Sequence, residues 1–220
     1  MAETVKERDM NTIQKACGWK EIYDAVQKAY GKEKADAAVK QAEELYTAYT
    51  ARYADRKGIN KGHVFGAIAI GSIYLPLKDL FGQERTIKLL SEAMRPASIA
   101  KHNKIENFPP KMFMRIAGII TNTMFSEKAG FKRRWLVNNG REKRYDLLTC
   151  PYVEVLTAMG CPEACAIACI QDDYSFRNMK NGVIFPRRKT LGRGDDCCDF
   201  GFITLCEGEN PSLLPEGHTQ

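Results

Sequence analysis

The sequence is poor in histidine. Only His63, His102 and His218 occur among 220 residues, in separate segments and without a ligand-spaced partner. Each reads as an ordinary histidine. None lies near the cysteines in the chain, which argues against a papain-like thiol–imidazole pair. The Gly-x-Ser-x-Gly elbow and the phosphate-binding glycine loop are also missing, so two common enzyme signatures are excluded. There is no Cys-x2-Cys pair of the kind usual for zinc. Internal repeats and low-complexity segments are absent.

Long apolar runs are lacking too. The longest, Val64 to Leu77, is interrupted by Gly66, Gly71 and Pro76. It falls short of the roughly 20 apolar residues that span a bilayer. Met1 to Asp9 holds no apolar core of a signal peptide. A cytoplasmic chain with no membrane partner is therefore expected. Neither sign of charge dominates: 33 Lys+Arg stand against 27 Asp+Glu, a net +6. That mild excess suits an anionic small-molecule substrate, and it lacks the dense basic stripe of a nucleic-acid binder.

What the chain does have is cysteine. There are eight, and Cys150, Cys161, Cys165, Cys169, Cys197, Cys198 and Cys206 crowd into its last part, with Cys17 alone near the start. A disulfide framework does not fit a reducing cytosol. Metal ligands, a reactive thiol or small buried hydrophobes remain, and the last is the default for any single cysteine.

The first 128 or so residues read as helices. Gly18 to Tyr30 and Lys32 to Arg56 are amphipathic, and the Tyr46, Tyr49, Tyr53 stripe reads as core packing. His63 to Leu80 reads as a buried helix. Gly82-Gln83-Glu84 opens another, ending near Arg95-Pro96 or somewhat beyond, and Pro109-Pro110 starts one from Lys111 to about Phe125. After Gly130 the pattern changes. Phe131 to Val137 and Glu142 to Thr149 flank Asn138-Asn139-Gly140-Arg141, a hairpin signal. Pro151 to Met159 and Pro162 to Gln171 look helical, and Val183 to Leu191 and Cys197 to Leu205 look like strands. The expected fold is α+β: N-terminal helices packed on a C-terminal antiparallel sheet with a helical insertion. One domain is expected over 1–206, helical to about 128 and sheet-containing from about 129, followed by a loose tail over 207–220.

Two segments carry the chemistry. In the first, Cys161, Cys165 and Cys169 recur every four residues and Asp172-Asp173 follow, so on one helix a thiol and carboxylates project together. A core-facing thiol stripe, a Cys/Asp metal site and a catalytic thiol with proton-transferring carboxylates all fit. The last needs a nearby cation, which Arg187, Arg188 or Lys189 can supply. The second segment runs from Arg187 to Phe200 around Gly192-Arg193-Gly194-Asp195. On a strand, Cys198, Phe200 and Phe202 share one face and Cys197 and Asp199 the other. Cys198 is then either core or the lining of a pocket. The six basic residues Lys132, Arg133, Arg134, Arg141, Lys143 and Arg144 read as a solvated hairpin face or an anion-attracting one.

At these segments the chain resembles the L-2-amino-thiazoline-4-carboxylic acid hydrolase family. The matching stretches are Phe81-Gly82-Gln83-Glu84-Arg85, the strand of Trp135, Cys150-Pro151-Tyr152, Cys169 with Asp172-Asp173, and Arg187-x-Lys189-Thr190-Leu191-x-x-Gly194-Asp195-x-Cys197-Cys198-Asp199-Phe200. The resemblance covers roughly residues 60 to 205. It implies hydrolytic opening of a cyclic amidine-like thioether ring to a carbamoyl-cysteine, within cysteine metabolism. The Gly194-x-x-x-Cys198-x-Phe200 ending is also similar to vinyl-reductase-like ligand-sensing domains, in which cysteines and an acidic residue bind zinc. Eight and eleven positions before Cys198 stand Thr190 and Arg187, so that zinc pattern is absent.

A thiolate of Cys169 or Cys198 would attack the ring carbon between sulfur and two nitrogens. Asp172 or Asp173 would move protons, and Arg187 would hold the substrate carboxylate. Thr190, Asp195 and Asp199 are taken with Arg187 as substrate-binding. No cofactor and no metal are expected. The rival readings are a small-molecule sensor without turnover and a metal-dependent hydrolase. A homo-oligomer through the N-terminal helices is compatible with the sequence.

Overall fold

The computed structural model describes residues 19–206 and 208–209. Expectations for Cys17, His218 and nearly all of the tail lie outside the described residues.

Five helices come first: α1 (Trp19–Tyr30), α2 (Lys32–Arg52), α3 (Gly58–Phe81), α4 (Gln83–Ile105) and α5 (Pro110–Met124). In α1 the buried residues are Trp19, Ile22 and Val26, one stripe at helical spacing. The α2 helix buries only alanines, Ala35, Ala38 and Ala42, which lets it lie close on its neighbours. Tyr46, Tyr49 and Tyr53 pack half-buried against that same core, as expected. The central helix is α3, with Val64, Ile68, Ile73, Tyr74 and Leu77 buried. It is long and apolar enough to cross a membrane, but 61% of its apolar window is covered by the rest of the fold, as in the core helix of a globular protein.

The helix expected to end near Arg95-Pro96 or somewhat beyond runs through Pro96 to Ile105 as α4. Pro96 and the preceding Arg95 are exposed. On that side, water can take the carbonyl bond that proline gives up.

The second half holds a four-stranded antiparallel sheet of order β1-β2-β4-β3: β1 (Arg133–Asn138), β2 (Glu142–Leu147), β3 (Val183–Ile184) and β4 (Cys198–Thr204). Two helices, α6 (Pro151–Ala158) and α7 (Cys165–Phe176), sit between β2 and β3. The β1–β2 hairpin turns at Asn139, whose side-chain oxygen accepts the N–H groups of Arg141 (2.9 Å) and Glu142 (2.7 Å). The strand expected over Val183 to Leu191 pairs only at Val183 and Ile184. Pro186 has no N–H to give a ladder, so the chain continues extended but unpaired.

The basic hairpin is largely tied down. Arg133 donates to the Thr121 and Phe125 carbonyls, Arg134 to Asp146, Arg141 to Glu209 and Arg144 to Glu142. Only part of the charge is left to attract an anion.

Two adjoining apolar clusters form the core. One joins α1–α4 with α6 and the start of α7. The other lies between α5 and the sheet, where Phe113 meets Phe202 edge-on at 5.0 Å.

A small polar knot ties α3 to the turn before α7. Glu163 Oε1 accepts from the Tyr74 hydroxyl (2.8 Å) and from Lys78 Nζ (2.6 Å). Tyr74 is fully buried, so losing its acceptor strands a hydroxyl. Glu163→Ala is expected to cost about 2 kcal/mol, a melting-temperature drop of roughly 4–8 °C. Glu163→Gln, which keeps an acceptor, should lose less than half of that by calorimetry.

Candidate functional site

The α7 helix carries three of the relevant groups. Cys165, Cys169 and Asp172 recur at four and then three residues, so they lie along one face. Cys161 does not join them. It precedes the short 3-10 turn Pro162–Ala164 rather than lying on α7. Its thiol is buried and pushed up to about 12 by burial and by Glu163.

Cys165, Cys169 and Asp172 line a cavity of about 260 Å³. Cys150 enters it from the start of α6, Cys198 from β4, Arg187 from the unpaired segment after β3, and His63 from α3. The cavity thus draws on elements from both halves of the chain. Phe125, Phe131 and Phe200 complete an aromatic wall. Cys198 is buried and also lines the pocket, so its two expected placements are both true.

The thiols differ in character. Cys165 and Cys169 have their sulfurs 4.0 Å apart. Cys165 stays protonated, its pKa raised by the neighbouring thiols and by burial. Cys169 is lowered, first by the hydrogen bond it shares with Cys165 and, against the effect of burial, by the Arg187 charge. Cys150 is lowered by the same Cys165 thiol. Cys198 is pushed up to about 12 by burial, although the Leu191 N–H donates to its sulfur at 3.3 Å. Cys169 is therefore the thiol that combines an anion-favouring setting with a cation beside it.

Asp172 and Arg187 form the charged floor. Arg187 is 3% exposed and donates to Asp172 Oδ2 (3.0 Å) and to the Cys169 carbonyl (2.7 Å). It also pairs with Asp173 Oδ1 at 3.0 Å. Asp172 lies deep, and burial raises its pKa against the pull of Arg187 and Lys101. Yet 32% of its side chain remains open, into the cavity.

The other expected site residues are framework in this geometry. Asp173 is buried, held by Arg187 and by Arg177 Nε at 2.9 Å, and is not part of the cavity lining. Asp195 Oδ2 accepts the Thr190 N–H at 2.7 Å, and Asp199 accepts the Arg188 and Lys189 N–H groups at 2.9 and 2.6 Å. Thr190 itself is buried. None of the three lines the cavity; together they shape the loop that presents Arg187, Gly192 and Cys198.

Gly192 explains one feature of that loop. A Cβ there would stand 2.9 Å from the Cys165 sulfur and 3.1 Å from the Cys169 sulfur. Only glycine lets the loop close over both thiols. Gly192→Ala is expected to displace them and to change the rate at which Cys169 is alkylated, which an alkylation time course beside a thermal melt checks.

His63 is the site residue that its sequence context concealed. It lies about a hundred positions from the cysteines and has no motif, yet it shares their cavity. Its Nε2 donates to the Met124 carbonyl at 3.0 Å, and burial lowers its pKa. It is thus a neutral imidazole with Nδ1 unprotonated. Its ring packs against Phe131 at 5.1 Å and Tyr152 at 5.9 Å. Among the described residues, no group of three or more His, Cys, Asp or Glu is arranged to hold a metal ion.

A family model described as L-2-amino-thiazoline-4-carboxylic acid hydrolase matches residues 61–202. That span contains every cavity residue named above. No curated protein and no solved structure matches the chain. The matched region covers most of the chain and runs from α3 to β4, taking in α7, Arg187 and the glycine loop. The chain belongs to the L-2-amino-thiazoline-4-carboxylic acid hydrolase family.

Proposed function

We propose that the protein hydrolyses a small cyclic amidine of the thiazoline type, opening L-2-amino-thiazoline-4-carboxylate to its carbamoyl-cysteine, with Cys169 as nucleophile and Asp172 as proton carrier. The observation that carries this reading is that Cys169 and Asp172 reach one cavity from successive turns of α7, with Arg187 bonded to both the Asp172 carboxylate and the Cys169 carbonyl.

The ring carbon between sulfur and two nitrogens is electrophilic. Asp172 takes the Cys169 proton, and the sulfur attacks that carbon. The ring C–S bond breaks, and the departing ring sulfur receives the proton from Asp172. A water molecule, deprotonated by Asp172, then attacks the same carbon. The Cys169–carbon bond breaks, the thiol regains its proton, and the carbamoyl product is released. One water is consumed and no electrons are exchanged.

Cys169 is preferred over Cys198, because the latter is held as a thiol by burial. Asp172 is preferred over Asp173, which is committed to two arginines. Arg187 acts as a positioning residue: it fixes the Asp172 carboxylate and supplies the cation that a thiolate needs. His63, neutral and in the same cavity, is a further acceptor for a proton from water.

The pH dependence follows. Turnover needs Asp172 ionised, so it falls as pH drops through the Asp172 pKa. Burial raises that pKa above the ordinary aspartate value of about 3.9. The acid limb of kcat is therefore expected above the range of an exposed aspartate, and Asp172→Asn should abolish the limb together with most of the rate. A kcat–pH profile of both proteins, read by free-thiol release, tests this. An acid limb unchanged in Asp172→Asn would overturn the role of Asp172.

A further inference from the structure

A second cavity, of about 190 Å³, lies on the other side of Asp172. It sits between α5 and the sheet. Phe113, Ile116 and Ala117 of α5 face Tyr145, Phe202 and, from α7, Phe176. The charged side chains of its lining are Lys101 and Asp172. His63, Phe125, Asp172 and Phe200 line both cavities, so the apolar chamber and the thiol-lined one meet at the proposed proton carrier. Ile120 and Met124 line the chamber and are themselves exposed, which puts its rim on the outer side of α5.

Apolar cavities of about 150 Å³ take up benzene. The second chamber exceeds that size and is walled by aromatic and aliphatic side chains. A bare thiazoline carboxylate would leave it unused. Resting on the ring-opening reading above, we infer that the chamber is a substituent subsite: the preferred substrate is a cyclic amidine carrying an aryl group or an alkyl group of about six carbons, seated in the chamber while the ring lies at Cys169.

Two inert amidines test this by calorimetric titration of the intact protein: acetamidine, which reaches only the thiol-lined cavity, and 3-phenylpropionamidine, which reaches both. Burial of a phenyl group predicts that the second binds about 10- to 100-fold tighter. Ala117→Phe fills the chamber from its wall, and Ile120→Trp fills it from the exposed rim, where the fold is less at risk. Either should cut the preference to below about threefold, because a filled chamber removes the burial that creates it. A wild-type preference below threefold overturns the inference, and so does a preference that survives both folded variants.

Turnover of L-2-amino-thiazoline-4-carboxylate is followed in the same samples. Turnover without the phenyl preference overturns the subsite and leaves the proposed reaction standing. The phenyl preference without turnover overturns L-2-amino-thiazoline-4-carboxylate as a substrate and keeps the chamber as a subsite for an amidine.

Discussion

Cys169→Ser is expected to lower kcat for ring opening at least about 1,000-fold, the scale on which enzymes lose rate when a covalent nucleophile is removed. The fold should survive, because a hydroxyl is close in size to the thiol and the site is cavity-lining rather than close-packed core. The setting of Cys169 gives the reason for the size of the effect. Its anion is favoured by the Cys165 thiol and by Arg187. Serine cannot use that setting, since its hydroxyl stays protonated. Cys198→Ser provides the contrast. Cys198 is buried with its pKa at about 12, so its replacement should cost much less rate, and its effect should be seen mainly in the melt. Equal losses from both substitutions would mean that the thiols act as a structural group and that water is activated by a carboxylate alone.

Arg187→Ala carries the second large effect. Arg187 is buried and satisfies Asp172, Asp173 and the Cys169 carbonyl together. Removing one partner of a buried ion pair typically costs about 3–5 kcal/mol, because the remaining charge is left without compensation. For a chain of this size that is a drop of roughly 10 °C in melting temperature. Arg177 still holds Asp173, so the uncompensated group is mainly Asp172. Its carboxyl should then protonate at still higher pH, and the acid limb of kcat should move upward with it. Arg187→Lys keeps the charge but lacks the fork that reaches three acceptors, and should recover less than half of the loss. A stable, fully active Arg187→Ala protein would contradict the positioning role.

The parts of this arrangement that local chemistry dictates were legible in the sequence. Pro110 starts α5, Asn139-Gly140 turns the hairpin, and the Trp19, Ile22, Val26 stripe makes α1. Each is decided by a few neighbouring residues. The Cys165, Cys169, Asp172 face was legible for the same reason, since helical spacing alone aligns it. Errors arose where non-local facts decide. Cys161 has the spacing of the stripe, but Pro162 opens a 3-10 turn, and α7 begins only at Cys165. The strand after Val183 stops early because Pro186 cannot pair and Arg187 is drawn to the aspartates of α7. Asp195 and Asp199 accept backbone N–H groups of their own loop, Thr190 N–H among them, and the sequence does not separate that placement from ligand binding. His63 joins the site only because α3 packs against α6 and α7, which no local pattern encodes.

The central claim is that ring opening proceeds through a covalent bond to Cys169. The most direct measurement is an acid quench of the protein during turnover of L-2-amino-thiazoline-4-carboxylate, followed by peptide mapping with mass spectrometry. The account predicts a ring-opened substrate adduct on the peptide that carries Cys169, absent from Cys169→Ser, alongside the carbamoyl product. Sustained turnover in Cys169→Ser, with no adduct on any cysteine of the wild type, would contradict it.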